Sequence, residues 1–353
     1  MAALTMLSAA LAERAPNWPP NWRPVRSANI NRNRSNALFD ARQFLNILEP
    51  FSDDERNSPF KPKDDAAHAK RGLDAAHAKR GLDASISREA DTADPPPLIL
   101  VPPMTGSAIE AQITPSEFHG NGYRCWLLFK THGDWYRAWL SASAFTPGLQ
   151  ECFLKSLMLE QSASGPTTNL PGVQTRVRQH GFTSLSTIEC LVAPGIGDEC
   201  IVPMVQPTIT ALEDNLGYRA GQNLFAAPYD WRRSPVDWMG TNSSFAAFKS
   251  LVEQVHATTG RKPWLWSFSM GGPYVHTFLT TYVSMAWKAE HLGSWLTLAG
   301  ALDGSVHEID AIIGGSACDM IPKELNLDRS GCIETVRSWP GMAWMMPSSN
   351  GTM

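Results

Sequence analysis

A serine flanked by small residues is the strongest candidate for chemistry in this chain. Residues 267–272 read Ser-Phe-Ser-Met-Gly-Gly, with Ser269 third in the segment. The pattern is a variant of G-x-S-x-G, in which a sharp strand-to-helix turn exposes a nucleophilic hydroxyl. The positions two before and two after the serine must be small; Ser267 replaces the usual first glycine and Gly271 keeps the second. We therefore predict that Ser269 is a nucleophile and that the Met270 amide is one oxyanion donor.

The residues around this segment supply the strand and the helix that such a turn requires. Residues 263–267 form a short apolar run, and residues 273–288 have a helical pattern. Further strands are predicted at 98–101 and 295–299, and further helices at 208–216 and 245–256. Alternating strands and helices are typical of parallel βαβ units, so the sequence predicts an α/β fold with a mostly parallel sheet.

The first 95 residues differ in character from the rest. They are rich in Pro, Asn, Arg, Asp and Lys, and the nine residues DAAHAKRGL at 65–73 recur unchanged at 74–82. Such a short perfect copy indicates a segment that tolerates insertion, so we predict a disordered or linker-like region over 1–95 and a folded domain over 96–353. The apolar residues 1–12 have two interpretations. They are either a cleaved secretory signal or an arbitrary start of the sequence.

Composition narrows the class of protein. With 30 basic and 34 acidic residues the net charge is −4, which gives no basic field for nucleic acid. No phosphate loop, dinucleotide fingerprint or metal-ligand spacing is present, so the sequence implies neither a cofactor nor a metal. The six cysteines fall into three sequence-local pairs, which would require an oxidising compartment if they are disulfides; reduced, buried thiols are the alternative.

Four segments, in order along the chain, resemble one known family. They are residues 98–111, residues 225–232 (FAAPYDWR), residues 298–305 and residues 344–348. Together they are similar to the lecithin:cholesterol acyltransferase family, which also includes the lysosomal phospholipase A2 and the phospholipid:diacylglycerol acyltransferases. The resemblance implies an α/β-hydrolase fold with a lid loop.

The resemblance also implies roles for particular residues. Ser269 matches the nucleophile, and Met104 matches the residue whose amide is the second oxyanion donor, although Pro103 stands where the family usually has glycine. Cys125 and Cys152 match a disulfide that closes the lid, placed at about 123–155. Trp139 matches the lid tryptophan that would bind substrate at the lipid interface. An ordinary core hairpin is the alternative for this aromatic segment.

The acid and base of a triad are harder to assign. Asp230 precedes the serine, whereas the acid of an α/β-hydrolase follows it, so a structural role such as pairing with Arg232 is predicted. The predicted helix would carry His276 away from Ser269, and His291 precedes a strand, on the wrong side of the sheet. His307 follows a strand end, so it is the local candidate for the base. The family's acid and histidine lie beyond the segment that matches 344–348, so the chain is expected to be an incomplete version of the enzyme.

These features predict a serine-dependent O-acyltransferase of lipid metabolism. It would move a fatty acyl chain from a phospholipid to a sterol or glyceride hydroxyl through an acyl-enzyme. A phospholipase A that uses water as acceptor is one alternative, and an inactive, truncated lipid-binding homologue is another. The expected partners are phospholipid and a hydroxyl acceptor at a membrane surface, and the expected location is the secretory pathway or the extracellular space.

Overall fold

The computed structural model of the 353-residue chain describes nine ranges of residues. They are 94–118, 125, 135–141, 148–161, 166–178, 184–193, 200–240, 243–319 and 328–347. The predicted linker region therefore lies almost entirely outside the described residues, as does most of the first half of the predicted lid.

Eleven strands are present in the described ranges. In chain order they are β1 (Leu98–Val101), β2 (Ile109–Ile113), β3 (Tyr136–Trp139), β4 (Leu159–Glu160), β5 (Thr168–Asn169), β6 (Val173–Val177), β7 (Cys190–Val192), β8 (Val202–Pro203), β9 (Leu224–Ala226), β10 (Trp264–Phe268) and β11 (Ser294–Leu298).

The helices of the same ranges are mostly short. In chain order they are α1 (Gln150–Leu157), α2 (Gln206–Leu216), α3 (Pro235–Trp238), α4 (Ser244–Thr259), α5 (Gly271–Thr277), α6 (Met285–His291), α7 (Val306–Ile309), α8 (Ser316–Asp319), α9 (Arg329–Arg337) and α10 (Pro340–Trp344). A 3₁₀ turn covers Leu185–Thr187, and π-helical turns cover Phe278–Tyr282 and Asp310–Gly314. In these ranges, no helix has both the length and the apolar character needed to cross a bilayer.

The central sheet is parallel, as predicted. Its four strands have the order β11-β10-β1-β9, and every pairing between them is parallel. All four residues of β1 and all three of β9 are buried, as expected where both faces of a parallel sheet are covered. The carboxyl ends of β1, β10 and β11 therefore lie side by side, and the loops that follow these strands meet at one edge.

Two apolar clusters lie on the two faces of this sheet around β1. Ile99, Val101 and Leu265 share one cluster with the buried face of α4. Leu98 and Leu100 share the other with the buried residues of α2 and of the 3₁₀ turn. Successive strand residues thus contribute to opposite layers, which fixes the register of the sheet.

A second, antiparallel sheet was not predicted. Its order is β3-β2-β6, and β2 pairs along its whole length with β6. The strand β3 lies within the predicted lid, so the described part of that segment contains regular structure. Two further antiparallel ribbons, β4–β5 and β7–β8, complete the strand pairings.

The prediction of one continuous helix over 273–288 is wrong. The structure divides this segment into α5, a π turn and α6. The hydroxyls of Thr280 and Thr281 donate to the carbonyls of His276 and Thr277 and so compete with the helical ladder. Ser284 then starts a new helix, because its hydroxyl caps the Trp287 amide.

All six cysteines are paired in the structure. The disulfides join Cys125 to Cys152, Cys190 to Cys200, and Cys318 to Cys332. The first ties residue 125 to α1, and the last joins α8 to α9. A fold with three disulfides and no free thiol forms in an oxidising environment.

Candidate active site

Ser269 lies on a sharp turn between β10 and α5. Its φ angle is +51°, in the left-handed region that L-residues rarely occupy outside functional turns. Its amide donates to the Leu298 carbonyl across 3.0 Å, and its carbonyl accepts from the Gly272 amide across 2.8 Å. The residue is half-buried and is not part of the buried core. This backbone is the geometry that the Ser-Phe-Ser-Met-Gly pattern predicts.

Gly271 allows the helix to approach the neighbouring strand. A Cβ placed there would lie 2.7 Å from the Val101 oxygen and 2.8 Å from the Pro102 oxygen. No larger residue fits at this backbone-to-backbone contact. The same contact puts the loop that follows β1, which contains Met104, beside the turn that contains Ser269.

Ser267 occupies the position where glycine is usual and is fully buried. Its hydroxyl accepts a hydrogen bond of 2.9 Å from the indole nitrogen of Trp295 on β11. The extra polar atom is thereby satisfied inside the protein. The pairing with Trp295 was not predictable from the local motif, since the two residues are 28 positions apart.

Two backbone amides are available for an oxyanion. Within the described part of the chain, neither the Met104 nor the Met270 amide donates to another protein group. Met270 is completely buried and Met104 is half-buried. The Gly106 amide bonds the Pro103 oxygen across 3.0 Å and closes a turn in which Thr105 has a φ of +64°. This turn leaves the Met104 amide free, so Pro103 does not remove the donor.

Trp139 supports that turn from the side. Its Nε1–H donates to the Thr105 carbonyl across 2.8 Å. Its ring meets Trp231 edge-on at 4.9 Å and Trp339 at 6.1 Å, so the side chain is half-buried in an aromatic cluster. The structure thus places Trp139 beside the turn that contains Met104. Its direct contact with lipid stays a prediction.

Asp230 has the structural role that the chain order predicts. Its carboxylate accepts from Arg232, at 2.7 and 2.9 Å, and from Arg233 at 3.0 Å. Burial alone would raise the pKa of Asp230, but the two guanidinium groups outweigh it and lower the pKa to about 2. Arg232 is fully buried and also reaches the Leu157 carbonyl and the Thr175 hydroxyl. The cluster therefore joins the central sheet to the antiparallel part of the fold.

The histidines considered as bases do not contact the serine. His276 lies on α5 with its ring 6.4 Å from that of Trp295. His291 has its Nδ1 atom 3.2 Å from Nδ1 of His256. His307 is exposed on α7, and its amide donates to the Ser305 hydroxyl. Among the described residues, no histidine is hydrogen-bonded to Ser269.

The site has one further strained residue that the sequence did not reveal. Ala299 follows β11 directly and has a φ of +48°. The next residue, Gly300, is tightly packed, because a Cβ there would overlap the Thr297 hydroxyl. The only local signal was the small-residue run 299–301, which does not tell which position takes the left-handed conformation.

The parallel sheet, the turn at Ser269 and the helix behind it make this an α/β-hydrolase fold. The family model described as lecithin:cholesterol acyltransferase matches residues 135–353, and the chain belongs to that family. Members of this family act as acyltransferases and phospholipases on lipids.

Individual relatives support the same family. The phosphatidylcholine-sterol acyltransferase of Gallus gallus is 27% identical over 259 residues, which cover 73% of this chain and 58% of that protein. The Homo sapiens protein of the same name is 26% identical, over 70% of this chain and 54% of its own length. The lysosomal phospholipase A and acyltransferase of Rattus norvegicus is 26% identical, over 71% and 57%. The chain thus spans somewhat more than half the length of these relatives.

Proposed function

We propose that the protein is a serine-dependent lipid O-acyltransferase with Ser269 as its nucleophile. The observation that carries the proposal is the strained turn at Ser269, beside which the Met104 and Met270 amides have no acceptor among the described residues. A nucleophile needs an exposed hydroxyl, and the charge that develops on the carbonyl oxygen needs preorganised donors beside it. The names of the relatives supply the substrate class, which is a phospholipid such as phosphatidylcholine.

In the proposed reaction the Ser269 hydroxyl oxygen attacks the ester carbonyl of the phospholipid. The Met104 and Met270 amides stabilise the tetrahedral oxyanion. The bond between the acyl carbon and the glycerol oxygen then breaks, and the serine proton passes through a base to the departing lysophospholipid. An acceptor hydroxyl attacks the acyl-enzyme and receives the acyl chain, which regenerates Ser269. With a sterol or glyceride as acceptor the product is an ester, and with water it is a free fatty acid.

Two alternatives each have a specific observation behind them. Hydrolysis is favoured by the relatives named lysosomal phospholipase A and acyltransferase. Lipid binding without turnover is favoured by the lack of a histidine bonded to Ser269 among the described residues. The two alternatives differ from the proposal in measurable ways.

A fluorophosphonate probe tests the nucleophile. We expect covalent labelling of the full chain, loss of labelling in Ser269→Ala, and normal labelling in Ser294→Ala, a matched control on the exposed start of β11. A chain that folds but takes no label supports the non-catalytic alternative. Labelling that survives Ser269→Ala would show that another residue is the nucleophile.

The acceptor is tested separately with phosphatidylcholine vesicles that contain cholesterol or diacylglycerol. Sterol or glyceride esters as the main products support the transferase, whereas free fatty acid alone supports the phospholipase. Contact with the vesicle surface, which we include in the proposal, is measured by co-sedimentation.

For location we propose the secretory pathway, because three disulfides need an oxidising compartment and one group of relatives is named lysosomal.

A further inference from the structure

Two histidines outside the candidate active site face each other at the ends of two neighbouring helices. His256 lies in the last turn of α4, and His291 is the last residue of α6. Their Nδ1 atoms are 3.2 Å apart, and the planes of the two rings are nearly perpendicular, at 82°. Both residues are half-buried. They are 35 positions apart in the sequence, so only the tertiary fold brings them together.

The distance between the two ring nitrogens fits a shared metal ion. Two lone pairs that face each other need a positive atom between them, which is either one proton or one metal ion. In a tetrahedral zinc site with Zn–N bonds of about 2.0–2.1 Å, two imidazole nitrogens lie about 3.4 Å apart. The observed separation of 3.2 Å is close to that value. The pair therefore has the geometry of one edge of a coordination tetrahedron.

A second contact between the same helices holds the pair in place. One turn before the histidines, the indole nitrogen of Trp287 donates to the Glu253 carboxylate across 2.8 Å. The Trp287 side chain is buried, and its ring centre is 5.2 Å from that of His291. The two imidazoles are thus presented by rigid, packed elements, which is what a preorganised metal site requires.

The charges around the pair balance, so binding depends on the ligand bonds. A carboxylate oxygen of Glu290 lies 3.9 Å from Nε2 of His291, the side of the ring where a metal-bound imidazole commonly has a carboxylate partner. The second carboxylate, Glu253, is paired with Lys249. The cation on the opposite side, Lys262, donates to a backbone carbonyl of α6. Both helices end at the pair, and the negative ends of their dipoles favour a bound cation.

We propose that His256 and His291 bind one divalent first-row transition-metal ion, such as Zn²⁺, through their Nδ1 atoms. Imidazole is a ligand that suits zinc, copper and nickel. Among the residues that the structure describes, no group of three metal-ligating side chains occurs, so water completes the coordination. The bound ion joins the carboxyl ends of α4 and α6 and stabilises the folded chain. The inference is independent of the proposed function, because it involves neither Ser269 nor its oxyanion donors.

Calorimetric titration of the full chain with Zn²⁺ tests the site at neutral pH, after treatment with EDTA. The parent is expected to bind one equivalent in its tightest phase. His256→Asn and His291→Asn each remove one ligand and should weaken this phase by roughly tenfold or more. The matched control is His307→Asn, at an exposed histidine on α7, which should bind as the parent does. Zn²⁺ should also raise the melting temperature of the parent and of the control, but not of the two pair variants.

A spectroscopic measurement on the parent keeps the test decisive if the pair variants do not fold. With less than one equivalent of Cu²⁺, electron paramagnetic resonance should show coupling to two imidazole nitrogens. Coupling to a single nitrogen would overturn the proposal, as would a parent that binds no Zn²⁺. Unchanged binding by a folded His256→Asn protein, or an equal loss in His307→Asn, would overturn it as well. The two histidines would then share a proton and no metal.

Discussion

The backbone amide of Ser269 donates to the carbonyl oxygen of Leu298, so the end of β11 holds the turn that presents the candidate nucleophile. The residue after Leu298 is Ala299, which has a positive φ like Ser269 itself. Two strained residues thus face each other at neighbouring strand ends. Strain of this kind persists only where the surrounding structure enforces it, and it is concentrated at functional turns.

Ala299→Gly is expected to stabilise the protein by about 0.5–1 kcal/mol. Glycine removes the steric cost of the left-handed conformation, which is about 1–2 kcal/mol, and part of that gain is lost to the greater freedom of glycine in the unfolded chain. Urea unfolding followed by circular dichroism measures the change. Gly300→Ala is the matched control and should destabilise, because its Cβ would overlap the Thr297 hydroxyl. If Ala299→Gly lowers stability, the left-handed conformation of that residue is refuted.

The bond between Ser267 and Trp295 should appear as a coupling free energy. Ser267→Ala and Trp295→Phe each remove one partner, so we expect each to cost about 1 kcal/mol. The double variant should cost less than the sum, by about 0.5–1.5 kcal/mol, because the bond is lost only once. Unfolding in urea of the four proteins gives the cycle. Strict additivity would mean that the indole and the hydroxyl do not interact.

The sequence predicted the part of the site that depends on neighbours along the chain. The turn at Ser269 follows from a small-residue motif between an apolar strand and a helical run, and the parallel sheet follows from continuous apolar strands such as β1. The antiparallel sheet was missed because β2 pairs with β6, 60 to 68 positions away, and with β3, 25 to 30 positions away. The indole bond from Trp139 to Thr105 and the one from Trp295 to Ser267 were missed for the same reason, since each needs the tertiary fold.

Asp230→Asn should destabilise the protein by about 2–3 kcal/mol at neutral pH. The variant leaves Arg232 buried without its counter-charge, and the lowered pKa of Asp230 corresponds to a stabilisation of that order. A carboxylate whose pKa is lower in the folded state stabilises fully above its unfolded pKa of about 4. This contribution is lost as the pH falls from about 4 to about 2.

The difference in unfolding free energy between the parent and Asp230→Asn is therefore expected to be largest at neutral pH and to shrink as the pH falls toward 2. Thermal or urea unfolding at several pH values measures it, with Asp303→Asn, at an exposed aspartate, as the control that should change little. A difference that stays constant down to pH 2 would show that the Asp230 carboxylate does not act through its charge.

Trp139→Phe should slow the reaction of Ser269 more than it weakens the fold. Phenylalanine keeps the ring in the cluster with Trp231 and Trp339 but loses the bond to the Thr105 carbonyl. The turn that contains Met104 then loses its lateral support. Loss of a whole oxyanion donor typically costs 10²–10³ in rate, so a loosened donor is expected to cost roughly 5–10-fold.

The rate of fluorophosphonate labelling measures this effect, and a change of no more than about 1 kcal/mol in unfolding free energy is expected alongside it. Trp135→Phe is the matched control, because Trp135 precedes the same strand and stacks on Arg176, 4.0 Å from the ring centre, instead of contacting the turn. If both variants label at the parent rate, the Trp139 indole does not position the Met104 amide. If both slow equally, the effect belongs to strand β3 as a whole, and the specific role of the Thr105 bond is refuted.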